Sequence, residues 1–69
     1  MNKKLRSELI QRILLLPVSV ARRDALETIK SFERKGGYLT LSEDDQTIYT
    51  VCQEMLLTPE LIRLEGGLS

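Results

Sequence analysis

Few side chains in this sequence are of the types that enzymes use for catalysis. The chain has no histidine, the residue most often used in general acid–base catalysis, and one cysteine, Cys52. Cys52 lies on the apolar stripe of a predicted helix with no histidine base, so we expect it to pack in the core. The adjacent acids Asp44 and Asp45 lie where a helix is predicted to begin, and helix capping accounts for them. We therefore predict that the protein is not an enzyme.

The sequence also predicts no cofactor and no metal site. The glycine pairs Gly36-Gly37 and Gly66-Gly67 lack the spacing and the following Lys-Ser/Thr of a phosphate-binding loop. A single thiol without a second soft ligand does not form a structural zinc site, and it cannot form an internal disulfide. A chain of this size then depends on regular helix packing or on self-association for its stability.

Length and composition indicate one small folded domain over residues 1–69. The 69 residues are 42% hydrophobic, which is typical of a globular chain and too high for a disordered one. A chain this short buries only about 60% of the surface that its unfolded form exposes, so its core is thin.

Apolar residues recur at helical spacing through most of the chain, which predicts an all-α fold. Helix 1 is expected over residues 2–16, with Asn2 as its N-cap and Pro17 ending it. Helix 2 is expected to begin after the N-cap Ser19 and to end at Gly36-Gly37. Because only about three residues join them, the two helices should form an antiparallel or steeply crossed hairpin.

The second half of the chain predicts a connector and two further helices. Residues 38–41 alternate between apolar and polar types, which is compatible with a short strand paired to a copy of itself; we favour a connector that places Leu39 or Leu41 in the core. Ser42 is the predicted N-cap of helix 3, and Thr58-Pro59 begins a short fourth helix that Gly66-Gly67 end. The predicted architecture is a small helical bundle, an antiparallel helical hairpin plus a third helix and a short C-terminal helix.

Helix 3 carries the clearest amphipathic pattern in the chain. Its core-facing residues are expected to be Ile48, Val51, Cys52 and Met55, and Thr47 is expected to face outward.

A net charge of zero hides an uneven distribution along the chain. Residues 1–36 hold nine Lys and Arg against four acids, or +5, and residues 37–69 hold one base against six acids, or −5. Either the basic and acidic helices pack together, which we favour, or one charged pole faces a partner. The second possibility includes a nucleic-acid-binding regulator that uses the basic N-terminal half, although three acids open helix 3 and few aromatic residues accompany the bases.

Helix 1 has an apolar stripe that is wider than one neighbouring helix would cover. This excess predicts a second apolar contact, and we expect the protein to be a small adaptor or regulatory protein that binds a protein partner and forms a homodimer. The predicted contact residues are Leu9, Ile10, Leu14 and Leu15, with Arg12 at the rim. The alternative is that these leucines close the core of the monomer itself.

The N-terminal segment resembles a secretion signal only superficially. It is basic at its start and contains Ile13-Leu14-Leu15-Leu16, but Glu8, Gln11 and Arg12 interrupt the apolar run. Helix 1 also lacks the Trp or Phe anchors of a helix that lies on a membrane. We therefore expect a soluble, cytoplasmic protein without a membrane partner.

Overall fold

Among the four α-helices formed by residues 2–68, the third is the element on which the others pack. The structure is a computed structural model that describes residues 2–68. Its α-helices are α1 (Lys3–Leu14), α2 (Val18–Arg34), α3 (Glu43–Leu57) and α4 (Pro59–Leu68), with a 3₁₀ turn at Tyr38–Thr40 before α3. α3 contacts α1, α2, α4 and the 3₁₀ turn, and α1 also packs against α4. The predicted all-α bundle is confirmed.

One cluster of buried side chains from all four helices forms the core. Ala21 and Ala25 are small, so the backbone of α2 lies close to α3, and Phe32 packs near Tyr49 with 6.3 Å between ring centroids. The buried apolar residues are Ile10, Ala21, Ala25, Ile29, Phe32, Tyr49, Val51, Cys52, Met55 and Ile62.

The two helices of the predicted hairpin pack mainly on α3 and have little direct contact with each other. α1 ends at Leu14, and α2 begins at Val18 with Pro17 in the N-cap position. The prediction that Ser19 is the N-cap was wrong. Proline has a fixed φ, here −56°, and lacks the amide hydrogen that a helix start would leave unpaired, so the helix begins directly after Pro17.

The segment between α2 and α3 is a connector, as expected. Gly36 and Gly37 have φ angles of 118° and 89°, which favour glycine, and they end α2. Leu41 packs against the core, whereas Leu39 is 90% exposed. Within residues 2–68 the chain forms no strand.

Side-chain N-caps begin α1 and α3 where the sequence predicts them. The Asn2 side chain accepts a hydrogen bond from the Leu5 amide at 3.1 Å, and Ser42 accepts one from the Asp45 amide at 3.2 Å. Pro59 is the first residue of α4, also as predicted.

Thr47 is buried, and the prediction that it faces outward was wrong. Its hydroxyl donates to the Glu43 carbonyl at 3.0 Å and accepts from the Asn2 amide at 3.2 Å. Because both hydrogen-bonding roles are satisfied, the hydroxyl can be buried at low cost. Thr47 therefore connects the start of α1 to α3.

Gly66 is a packing residue, and the prediction that Gly66-Gly67 end α4 was wrong. The helix continues to Leu68. A Cβ atom on Gly66 would lie 2.1 Å from Leu14 Cδ1 and 3.3 Å from Ile10 Cγ2, whereas one on Gly67 would have no neighbour within 4 Å. Gly66 thus allows α4 to approach α1 closely.

Arg6 connects α1 to both α3 and α4. Its guanidinium donates two hydrogen bonds to Glu65, Nε to Oε2 at 2.9 Å and Nη2 to Oε1 at 2.8 Å, and Nη2 also pairs with Glu54. The hydrogen bonds from Arg6 lower the pKa of the Glu65 carboxyl below its ordinary value. The expected pairing of a basic helix with acidic helices is therefore confirmed at Arg6.

We predict that alanine at Gly66 and at Gly67 will have different effects on stability. Gly67→Ala should raise the free energy of unfolding by about 0.5 kcal/mol, because alanine favours the helix and has room there. Gly66→Ala gains the same helix propensity, but the added Cβ atom displaces the Leu14 side chain. The free energy of unfolding of Gly66→Ala should therefore be about 1 kcal/mol lower than that of Gly67→Ala. Urea unfolding of both variants measures the difference. Equal stability of the two would show that α4 does not pack closely on α1.

We predict that Arg6→Met lowers the free energy of unfolding by about 1 kcal/mol at pH 7, because two partly exposed carboxylates lose their shared partner. The lowered pKa of Glu65 contributes stability above the ordinary carboxyl pKa and loses it as the pH falls. The difference between wild type and Arg6→Met should therefore shrink in acid. Lys4→Met, an exposed site on the same helix, is the control and should change stability by less than about 0.5 kcal/mol.

Candidate functional site

An apolar groove runs between α1 and α2, with α3 as its floor. Because these two helices contact α3 more than each other, a space of about 540 Å³ remains between them. One wall consists of Leu9 and Ile13 of α1, together with Leu16, which lies just after the helix ends at Leu14. The α2 wall and the α3 floor consist of Ala21, Ala25, Thr28, Ser31, Phe32, Ile48, Val51 and Cys52. We call this space the groove.

The two rims of the groove carry opposite charge. Arg12 lines the α1 side, and Asp24 and Glu27 line the α2 side. All three side chains are exposed, and none forms an ion pair with a residue in the range 2–68. The groove therefore presents an apolar centre between a basic edge and an acidic edge.

A second apolar feature lies at the junction of α1 and α2. Leu14, Leu15, Leu16 and Val18 are all exposed there, and Leu15 is 86% exposed. We call these four residues the leucine turn. A depression of about 270 Å³, which Leu14, Leu16 and Val18 help to line, shares Ile13, Leu16 and Ala21 with the groove. The two apolar features are therefore continuous.

The five residues predicted to contact a partner lie in different environments. Leu9 is in the groove wall and Arg12 at its rim, while Leu14 and Leu15 belong to the leucine turn. Ile10 is only 1% exposed and lies in the core beside Gly66. Ile10 therefore has almost no surface to offer a partner in the folded monomer. Binding by the five residues stays a prediction.

The α2 side of this site was not predicted from the sequence. Ala21 and Ala25 are almost fully buried, yet both line the groove, because their side chains are too short to fill it. Asp24 and Glu27 are three residues apart on α2, so their side chains lie on the same side of the helix, along the rim. The sequence feature that could have predicted this wall is alanine, in place of a large apolar residue, at two successive turns of α2.

Most of the basic side chains of the first half are exposed to solvent. Apart from Arg6, they form no ion pair within the part of the chain that the structure describes. They are Lys3, Lys4, Arg12, Arg22, Arg23, Lys30, Arg34 and Lys35. The favoured pairing of basic and acidic helices therefore applies to Arg6 and not to these eight residues.

Cys52 is a free, buried cysteine on the groove floor, and its predicted place in the core is confirmed. Burial raises the pKa of the Cys52 thiol to about 11, and a hydrogen bond with the Thr28 side chain offsets part of that effect. The thiol is therefore protonated at neutral pH and is a weak nucleophile. Across residues 2–68, no three side chains of His, Cys, Asp or Glu type come together as a metal site.

No α-helix between residues 2 and 68 combines the length and the apolar character that crossing a membrane requires. Comparison with known proteins found no match of this chain to a family model, to a curated protein or to a solved structure.

We predict that Cys52 in the folded protein reacts with iodoacetamide about tenfold or more slowly than in the urea-unfolded chain at pH 7.5. A pKa of about 11 reduces the thiolate fraction, and the higher nucleophilicity of a more basic thiolate offsets only part of that loss. The folded-state rate should rise as the pH approaches 11. Mass spectrometry of the alkylated protein gives the rates, and equal rates in both states would show that Cys52 is accessible and not buried.

Proposed function

We propose that this protein is a small, non-enzymatic adaptor or regulator that acts in the cytoplasm by binding another protein. The observation that carries the proposal is the groove together with the adjoining leucine turn. Folded monomers rarely leave large contiguous apolar patches exposed, and such patches mark interaction sites.

Self-association is the second part of the proposal, and the leucine turn supports it. Leu15 projects into solvent beside three other exposed apolar side chains. A two-fold dimer brings the same patch of each subunit together, so a single leucine cluster can cover itself. A chain of 69 residues has a thin core, and oligomerisation is a common way to supplement one.

The chemistry of the site supports a binding role more than a catalytic one. The thiol on the groove floor is protonated at neutral pH, and the chain contains no histidine to act as its base. The charged groups that line the groove stand at its edges, with apolar side chains between them.

A nucleic-acid-binding regulator is the alternative function, because eight basic side chains of the first half are exposed. Three acids, Asp24, Glu27 and Glu33, are interspersed among the bases of α2, and the net charge of the chain is zero. Both features weaken attraction to phosphates, so we favour the protein partner.

We predict that Arg12→Glu combined with Leu15→Asp abolishes self-association and leaves the monomer folded. Leu15 is 86% exposed and Arg12 is also exposed, so neither change disturbs the core. Leu39→Asp is the matched control, because Leu39 is equally exposed at the opposite end of α2, about 25 Å away along a 17-residue helix. Sedimentation velocity measures association, and thermal circular dichroism measures folding. A double variant that unfolds, or that still associates, would show that the interface is elsewhere.

The same three proteins test partner binding by affinity capture from source-cell lysate, with and without nuclease. We expect wild type and Leu39→Asp to retain a stoichiometric protein after nuclease treatment, and the double variant to lose it. Enrichment that disappears with nuclease would support the nucleic-acid alternative and would assign the binding to the basic residues.

A further inference from the structure

The shape and charge of the groove specify the kind of partner that fits it. We infer that the groove binds one amphipathic α-helix of a partner protein, with an apolar stripe against α3, an acidic flank facing Arg12 and a basic flank facing Asp24 and Glu27. This inference rests on the proposed function, because it assigns the chemistry of the partner at the same site.

The walls of the groove have the form that receives a helix. Leu9 and Ile13 are four residues apart on α1, about 6 Å, and Ala21 and Phe32 are eleven apart on α2, about 16 Å. A space between two helices that pack side by side on a third is where a further helix of a bundle would lie.

The lining explains why the bound stripe must be apolar. Leu9, Ile13 and Ile48 are only partly buried and pack at the edge of the core cluster. Ala21 and Ala25 are almost fully buried, so the apolar surface open to a partner helix is mainly that of these three residues and Leu16. Helices that bind in such grooves place apolar residues at i, i+3 or i+4, and i+7.

The charges on the rims select the flanks of that helix. A helix with one acidic and one basic flank meets two attractive rims, while a helix with two like flanks meets one attractive and one repulsive rim. Reversing the helix exchanges its flanks, so the same charges also fix its direction.

The exposed apolar face of α4 in a second copy does not match the rims. α4 carries the exposed apolar pair Leu61 and Leu64. At 100° per residue, Glu60 and Glu65 flank that pair on its two sides. Glu65 already pairs with Arg6 of its own chain, so neither flank offers a basic group to Asp24 and Glu27. The α2 rim of the groove is acidic too, which favours a helix from a different protein.

The test uses three designed helical peptides with one leucine stripe and different flanks: Glu on one and Lys on the other, Glu on both, or Lys on both. We expect wild-type protein to bind the mixed peptide about three- to tenfold more tightly than either of the others in low salt. Arg12→Glu makes both rims acidic, so the peptide with Lys on both flanks should then bind most tightly. Lys4→Glu makes the same charge change outside the groove and should keep the wild-type order. Fluorescence anisotropy gives the affinities.

Amide chemical shifts locate the bound peptide. We expect shifts at Ala25, Val51 and Cys52 when the mixed peptide is added. An order of affinities that Arg12→Glu leaves unchanged would overturn the inference, as would shifts confined to the leucine turn. Shifts of the groove residues with protein concentration alone would also overturn it, and would identify a second copy as the occupant.

The outcomes separate this inference from the proposed function. If the double variant loses lysate capture and self-association but no peptide binds the groove of the wild type, the adaptor function holds and the groove inference fails. If the peptides bind in the expected order while the double variant keeps both capture and association, the groove inference holds and the role of the leucine turn fails.

Discussion

The structure depends on the burial of α3 by three helices at once. Its buried residues, Thr47, Tyr49, Val51, Cys52 and Met55, are spread over more than half of the helix circumference at 100° per residue. A helix that is covered so widely needs neighbours on several sides. α1 and α2 therefore take different sides of α3 instead of packing fully on each other, and the groove is the space that this arrangement leaves.

Because of this arrangement, the side chains of α1 face two different parts of the structure. Arg6, Ile10 and Leu14 recur every four residues and point to α4, where they meet Glu65 and Gly66. A second row, Leu9 and Ile13, lines the groove, and Leu16 continues that lining just after the helix ends. The wide apolar stripe of helix 1 thus faces α4 on one side and the groove on the other.

Local signals predicted the helices well, because each depends on residues close in sequence. The caps at Asn2 and Ser42 and the glycine end of α2 are examples, since one side chain or one positive φ decides them. Thr47 and Gly66 were misjudged because their roles depend on contacts with α1, which spacing within their own helices does not reveal. The same limit applies to Ile10. Spacing placed it on an apolar face with Leu9 and Leu14, but only the position of α4 decides that it is buried.

The groove stays open because neither larger side chains nor a further helix of the described chain fills it. Larger side chains at Ala21 and Ala25 would fill the space but would also push α2 away from α3, because both alanines are already buried at that contact. Closing the groove would instead require another helix, and the described chain uses its fourth helix to cover α1 and α3 at the other side, where Ile62 is 1% exposed. A helix of a partner protein would fill the groove without disturbing the existing core. It would also connect α1 to α2, which now depend on α3 for their relative position, so binding at the groove and the stability of the fold are linked.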